Sequence, residues 1–138
     1  MKLAASLFAL ALLAPASATD IKAAESQGVI VPQGADGGQR LEIAVDSYSF
    51  TPNRLIVKAD FPVELTLKSV SWLTPHNFVL KSVEAGLELE QEIPAGGAAT
   101  VRFTPTRPGE FKFACTKKLL FFASHEERGM VGTLFVVK

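Results

Sequence analysis

Four side chains carry most of the chemistry available to this sequence: His76, Cys115, His125 and Met130. Past residue 18 the chain has no other cysteine, histidine or methionine, and three of the four fall in one stretch near the C-terminus. Two imidazoles, one thiolate and one thioether make a His2Cys set with a weak axial donor, the set that suits copper in an electron-transfer centre. The sulfur donors are soft and favour Cu(I), while the imidazoles accept Cu(II) as well. Taken singly, each residue has an ordinary explanation: a hydrogen-bonded histidine, a methionine filling the core, a cysteine behaving as a small buried hydrophobe. Together they do not, because the chain spends none of these residue types elsewhere. A cysteine hydrolase built on Cys115 needs an exposed electropositive thiolate and an oriented base. A cysteine on the apolar face of a strand, with no glycine-rich oxyanion loop in view, fits that poorly. Zinc also competes for such a site, but a thioether is a poor reason to choose it.

The elements that must position these residues read as strands. Leu41, Ile43 and Val45 alternate with Glu42, Ala44 and Asp46, and Val63, Leu65 and Leu67 with Glu64, Thr66 and Lys68. The same period of two runs through Val101–Thr104 and through Phe111–Ala114, which puts Cys115 on the apolar face shared with Phe111 and Phe113. Val131–Val137 closes the chain as a β-branched and aromatic strand. Thr51-Pro52-Asn53, Pro94-Ala95-Gly96-Gly97 and Pro105-Thr106-Arg107-Pro108-Gly109 punctuate these runs with turn chemistry. No long segment shows a helical period, although Val83–Gln91 has room for one turn of helix. Short strands between turns predict an all-β antiparallel sandwich or small barrel.

The 138 residues suffice for one domain. Fourteen basic and fourteen acidic residues cancel, so no charge excess points to nucleic acid or to an anionic membrane. A single cysteine excludes an internal disulfide framework. Residues 1–18 have the layout of a cleaved secretory signal: Lys2, the mostly apolar run Leu3–Leu13, then Ala16-Ser17-Ala18. The run is too short for a permanent span, so the expectation is an exported protein with no membrane span after cleavage, periplasmic and monomeric. Residues 19–39, with four glycines and Pro32, read as a flexible N-terminal arm, of which Ala23–Val31 offers one edge strand.

From about Leu41 onward the sequence resembles the cupredoxin superfamily (plastocyanin- and azurin-like), its small single-domain bacterial members of the EfeO-type group most of all. The resemblance rests on Phe50-Thr51-Pro52, Pro75-His76-Asn77-Phe78, Ile93 to Gly97, Pro108 to Cys115, and His125 through Met130-Val131-Gly132-Thr133. It implies a Greek-key β-sandwich of about 7–8 strands over residues 40–138, with one copper per chain. His76, Cys115, His125 and Met130 would be the metal ligands, and Asn77 would tie the two ligand-bearing segments together by hydrogen bonding. The implied role is an electron carrier; the alternative is a protein of the envelope that sequesters or delivers copper.

One spacing departs from the family pattern. Nine residues, Thr116 to Ser124, separate Cys115 from His125, where familiar blue copper proteins have two to four. This loop must bulge outward or fold back while returning His125 to the metal. It contains Lys117 and Lys118 followed by Leu119-Leu120-Phe121-Phe122. Two readings of the apolar run stay open: an exposed patch at Lys117–Phe122 on which a redox partner protein docks near His125, or an inward plug closing the end of the sandwich. Glu126, Glu127 and Arg128 read as solvated loop charges, and Tyr48 and Trp72 as core or rim aromatics.

Overall fold

A computed structural model describes residues 28–138. The expected signal at 1–18, and the expected arm as far as residue 27, lie outside the described residues. Ten strands occur among the described residues: β1 (Val29–Ile30), β2 (Gln39–Asp46), β3 (Ser49–Thr51), β4 (Arg54–Lys58), β5 (Val63–Ser69), β6 (His76–Ser82), β7 (Leu87–Ile93), β8 (Ala98–Phe103), β9 (Gly109–Ala114) and β10 (Val131–Val137). They form a six-stranded sheet in the order β1-β4-β10-β9-β6-β7 and a four-stranded sheet in the order β3-β2-β5-β8. The all-β Greek-key sandwich holds. The two shortest strands, β1 and β3, account for the excess over the expected seven or eight.

Alternation puts the core where it belongs. Ile43, Val45, Leu65 and Leu67 from one sheet face Leu55, Phe78, Leu80, Phe113 and Leu134 from the other, all buried. Under the end of the sandwich that carries the site, Phe50 of β3 meets Phe113 edge-on with centroids 5.3 Å apart, and Phe113 stacks on Phe78 at 5.0 Å. These three rings join the two sheets and give the site a rigid floor.

Val83–Gln91 does hold one turn of helix, a 3₁₀ turn at Val83–Ala85 closed by Gly86 in the left-handed region, and then becomes β7. Leu87, Glu88, Leu89 and Glu90 favour helix by propensity, but they alternate apolar and acidic, and seven residues of β7 pair with β6. Residues 28–39 are bound to the sheet and are not a free arm. Val29 and Ile30 pair in parallel with Leu55 and Ile56, and Val31 is buried, its amide donating to the Ile56 carbonyl at 2.9 Å. The buried Gln39 side chain donates to the Lys58 carbonyl and accepts from the Lys58 amide. The buried Val31 and these backbone and side-chain partners outweigh the entropy that the neighbouring glycines give up.

Candidate metal centre

Sheet register brings the scarce residues together. β6 begins with His76 and runs antiparallel to β9, with Val79 opposite Ala114. β10 also runs antiparallel to β9, with Val131 opposite Ala114. The start of β6, the end of β9 and the start of β10 therefore meet at one end of the sandwich, and they carry His76, Cys115 and Met130. The Cys115 amide donates to the Met130 carbonyl at 3.1 Å, and the Met130 amide to the His125 carbonyl at 2.9 Å.

His76, Cys115 and His125 form a buried cluster whose ligand atoms all lie within 4.8 Å of one another. Cys115 Sγ sits 3.4 Å from His125 Nδ1 and 3.8 Å from His76 Nδ1. A metal held about 2.3 Å from sulfur and about 2.0–2.1 Å from nitrogen, with donors near trigonal or tetrahedral angles, keeps sulfur and nitrogen roughly 3.6–3.8 Å apart. The observed separations bracket that span, so the three donors stand in place for an ion. No carboxylate joins the cluster among the described residues, which leaves a soft donor set suited to copper. Met130 is fully buried beside them.

Backbone and side-chain hydrogen bonds hold the thiolate position. The Asn77 amide points at Cys115 Sγ at 3.4 Å. The Asn77 carboxamide bridges to Thr116, Nδ2 donating to Oγ1 at 3.0 Å and Oδ1 accepting from the Thr116 amide at 2.8 Å. Asn77 thus joins the strand of the first histidine to the residue after the cysteine, the tie the resemblance implied.

The long loop bulges outward. Its base is closed by the His125 amide donating to the Lys117 carbonyl at 2.8 Å, and Lys117 is pinned to Glu92 of β7 at 2.6 Å. His125 therefore returns to the site as though the intervening residues were absent. The tip, Leu119 to Phe122, stands in solvent, with Phe121 84% exposed. The inward-plug reading fails for a simple reason: with the base closed, the tip has no core surface to reach. Trp72, read as a core or rim aromatic, is 83% exposed. Arg128, read as a solvated charge, instead donates to the Tyr48 hydroxyl at 3.1 Å. That contact spans sequence positions with no shared periodicity, so no signal in the chain announced it.

The electrostatics favour a neutral cluster. Burial pushes the His76 pKa below its ordinary 6.5, with the neighbouring His125 adding to the effect. Burial likewise lowers His125, with Arg128 contributing. Burial raises the Cys115 thiol above 9.0, against the lowering pull of the Asn77 and Lys117 backbones. The folded, metal-free protein resists protonating the imidazoles, whereas the unfolded chain does not. Stability is therefore complete above pH 6.5 and falls as the pH drops below it. At the other end, the unfolded thiol ionises above 9.0 and the folded one resists, so stability falls again as the pH rises. Thermal melts of the metal-free protein should show a plateau between about pH 6.5 and 9. An unchanged melting midpoint from pH 8 down to 5 would contradict this. Surface carboxylates such as Glu90 and Glu127 are lowered from 4.5 and act in a separate, more acid window.

The model of a family described as the cupredoxin-like domain matches residues 2–131. No curated protein matches the chain in sequence. Among solved structures, auracyanin B is similar at 23% identity with a TM-score of 0.59, covering 80% of this chain and 96% of its own. Auracyanin A, a blue copper protein from Chloroflexus aurantiacus, is similar at 22% identity and TM-score 0.59, covering 73% and 100%. The metal-binding domain of a Cu(I)-exporting P-type ATPase of Streptococcus pneumoniae, solved with Cu(I), is similar at 18% identity and TM-score 0.58, covering 80% and 95%. At these identities the likeness is one of fold.

Proposed function

Because the chain belongs to the cupredoxin-like domain family, we propose that it is an exported, periplasmic copper protein of the type 1 kind that carries single electrons and breaks no substrate bond. The observation that carries this reading is the convergence of Cys115 Sγ with the two imidazole Nδ1 atoms at metal-bridging separations. In the proposal Cys115, His76 and His125 would hold one copper, with the Met130 thioether as a weaker fourth donor. Bound copper supplies a one-electron Cu(II)/Cu(I) couple.

The chain's own residues do the rest. His76, Cys115 and Met130, set at the ends of β6, β9 and β10 over the Phe50–Phe78–Phe113 floor, would move little between oxidation states, which favours fast transfer. His125, 9% exposed, is the donor nearest solvent. It lines a cavity of about 450 Å³ together with Tyr48, Leu73, Lys118, Phe122 and Arg128. A redox partner protein docking at Lys117–Phe122 would lie against this edge, and the exposure of Leu119 to Phe122 supports that surface. Among the described residues no helix is long and apolar enough to cross a membrane.

The second reading is copper sequestration or delivery. The fold does not choose between them, since it serves both blue copper proteins and a Cu(I)-binding ATPase domain. Titrating the protein with Cu(II), followed by ascorbate, decides. An intense visible band that saturates at one copper per chain and bleaches on reduction supports electron transfer. No Cu(II) uptake, with Cu(I) bound and passed to an acceptor, favours delivery.

The axial assignment has its own check. Met130→Leu should keep copper and the visible band but raise the reduction potential, because an electron-rich axial donor favours Cu(II). For a one-electron couple, each tenfold change in the relative affinity for the two oxidation states is about 59 mV, so voltammetry reads it directly. Complete loss of copper would make Met130 more than a weak ligand, and an unchanged potential would remove it from the site.

A further inference from the structure

We propose that Tyr48, latched by Arg128, holds the His125 imidazole in its ligand orientation. The inference rests on the copper reading of the site and adds a positioning pair to it.

The two histidines are supported differently. His76 is a strand residue, fully buried, and paired across β6–β7 with Ile93. Its ring direction follows from sheet geometry. His125 lies in a loop at the rim of the cavity described above, where one side of its ring has room to swing. Backbone hydrogen bonds fix its main chain, but they leave the side-chain torsions free.

Two rings meet the His125 imidazole: that of His76, tilted at 56° with centroids 5.1 Å apart, and that of Tyr48. Tyr48 comes from the turn between β2 and β3, in the opposite sheet, so its backbone is placed independently of the loop. Its ring stands edge-to-face against His125, with centroids 5.3 Å apart and planes at 87°. Tyr48 is 42% exposed and stands outside the core cluster; Arg128 braces it. The Arg128 guanidinium lies over the tyrosine ring, 5.0 Å from its centroid, and Nη1 donates to the hydroxyl at 3.1 Å. Arg128 is itself tied to the ligand, because its amide donates to the carbonyls of Ser124 and His125 at 3.1 and 3.2 Å. The contacts close a circuit: His125 backbone to Arg128 backbone, Arg128 side chain to Tyr48, Tyr48 ring back to the His125 ring. Swinging His125 outward breaks the aromatic contact and displaces Tyr48 against the arginine.

The test uses the full chain carrying Tyr48→Ala, Tyr48→Phe or Arg128→Ala, plus the Tyr48→Ala/Arg128→Ala pair. In the metal-free protein, imidazole proton–nitrogen correlation spectra should show His125 shifted or broadened in Tyr48→Ala, and more so than His76, whose ring lies 5.1 Å from it. In the copper-loaded protein, copper loss to excess chelator should be about 10–100-fold faster for Tyr48→Ala, the range expected for partners that orient a ligand. Tyr48→Phe, which keeps the ring, and Arg128→Ala should fall between. Removing Arg128 should add nothing once Tyr48 is gone, since the two act as one unit. Unchanged His125 resonances together with an unchanged rate of copper loss overturn the proposal. So does a lowered melting midpoint with His76 and His125 disturbed alike, which is what a merely structural role would give. Failure of the parent chain to take up copper would sink the function proposed above, but the metal-free spectra would still decide the latch.

Discussion

Cys115→Ser is expected to abolish the intense visible absorption of the copper-loaded protein and to weaken copper binding by more than the roughly 10–100-fold that a lost outer partner costs. The band needs charge transfer from a thiolate, and a serine hydroxyl stays protonated and offers a hard oxygen in place of a soft sulfur. The structure gives Cys115 no substitute, because Met130 is the one remaining sulfur past residue 18 and the other clustered donors are imidazoles. The fold should survive. The serine side chain is smaller and clashes with nothing, and the Asn77 amide that points at the sulfur is available to the hydroxyl. Copper titration of the variant, alongside a melt of its metal-free form, makes the test. An undiminished band in a folded variant would remove Cys115 from the centre and with it the proposed function. The same chemistry predicts proton release. The thiol is held protonated by burial in the metal-free state and binds copper as thiolate, so uptake near pH 7.5 should release about one proton per chain in weakly buffered solution.

Gly132→Ala should be the most damaging single change of modest size, costing at least the ~1–3 kcal/mol typical of an overpacked core. Gly132 lies opposite Phe113 across β9–β10. A Cβ there would run into the Phe113 ring at Cζ and Cε2 and would sit 2.5 Å from the Asn53 carbonyl oxygen. The ring cannot step aside, because Phe50 and Phe78 hold it from the other directions. The glycine is therefore the recess that lets the aromatic floor form under the metal site. For a domain of this size each kcal/mol lowers the melting midpoint by about 4–8 °C, so an ordinary thermal melt resolves the effect. A midpoint within experimental error of the parent's would refute the packing argument. Combining Gly132→Ala with Phe113→Leu should be less harmful than the two changes summed, because the smaller side chain removes the clash.

The donor set and most of the strands were legible in the chain because both are local properties. Scarcity of residue types singled out His76, Cys115, His125 and Met130; a period of two marked β2, β5, β8 and β9, and β-branched and aromatic composition marked β10, without any knowledge of their partners. Where local signals conflict or fall silent, reading fails. Leu and Glu in β7 favour helix by propensity while alternating like a strand, and pairing with β6 decides between them. Leu55-Ile56-Val57 in β4 is a short unbroken apolar run that periodicity leaves ambiguous. It becomes a strand because β1 and β10 lie on either side of it. Val29–Val31 falls within the Ala23–Val31 stretch read as an edge strand, and only the fold shows that β4 is its partner.

The site divides along the same line. Residue chemistry names the ligands, but their convergence depends on register, since Ala114 must face both Val79 and Val131 to bring the strand ends together. The apolar loop tip was open to two readings because its composition is the same in either. A single backbone hydrogen bond from His125 to Lys117 sends it outward. The Tyr48–Arg128 latch lies wholly on the tertiary side. Its members sit in different sheets' connections, far apart in sequence, and only folding sets a phenol, a guanidinium and an imidazole against one another.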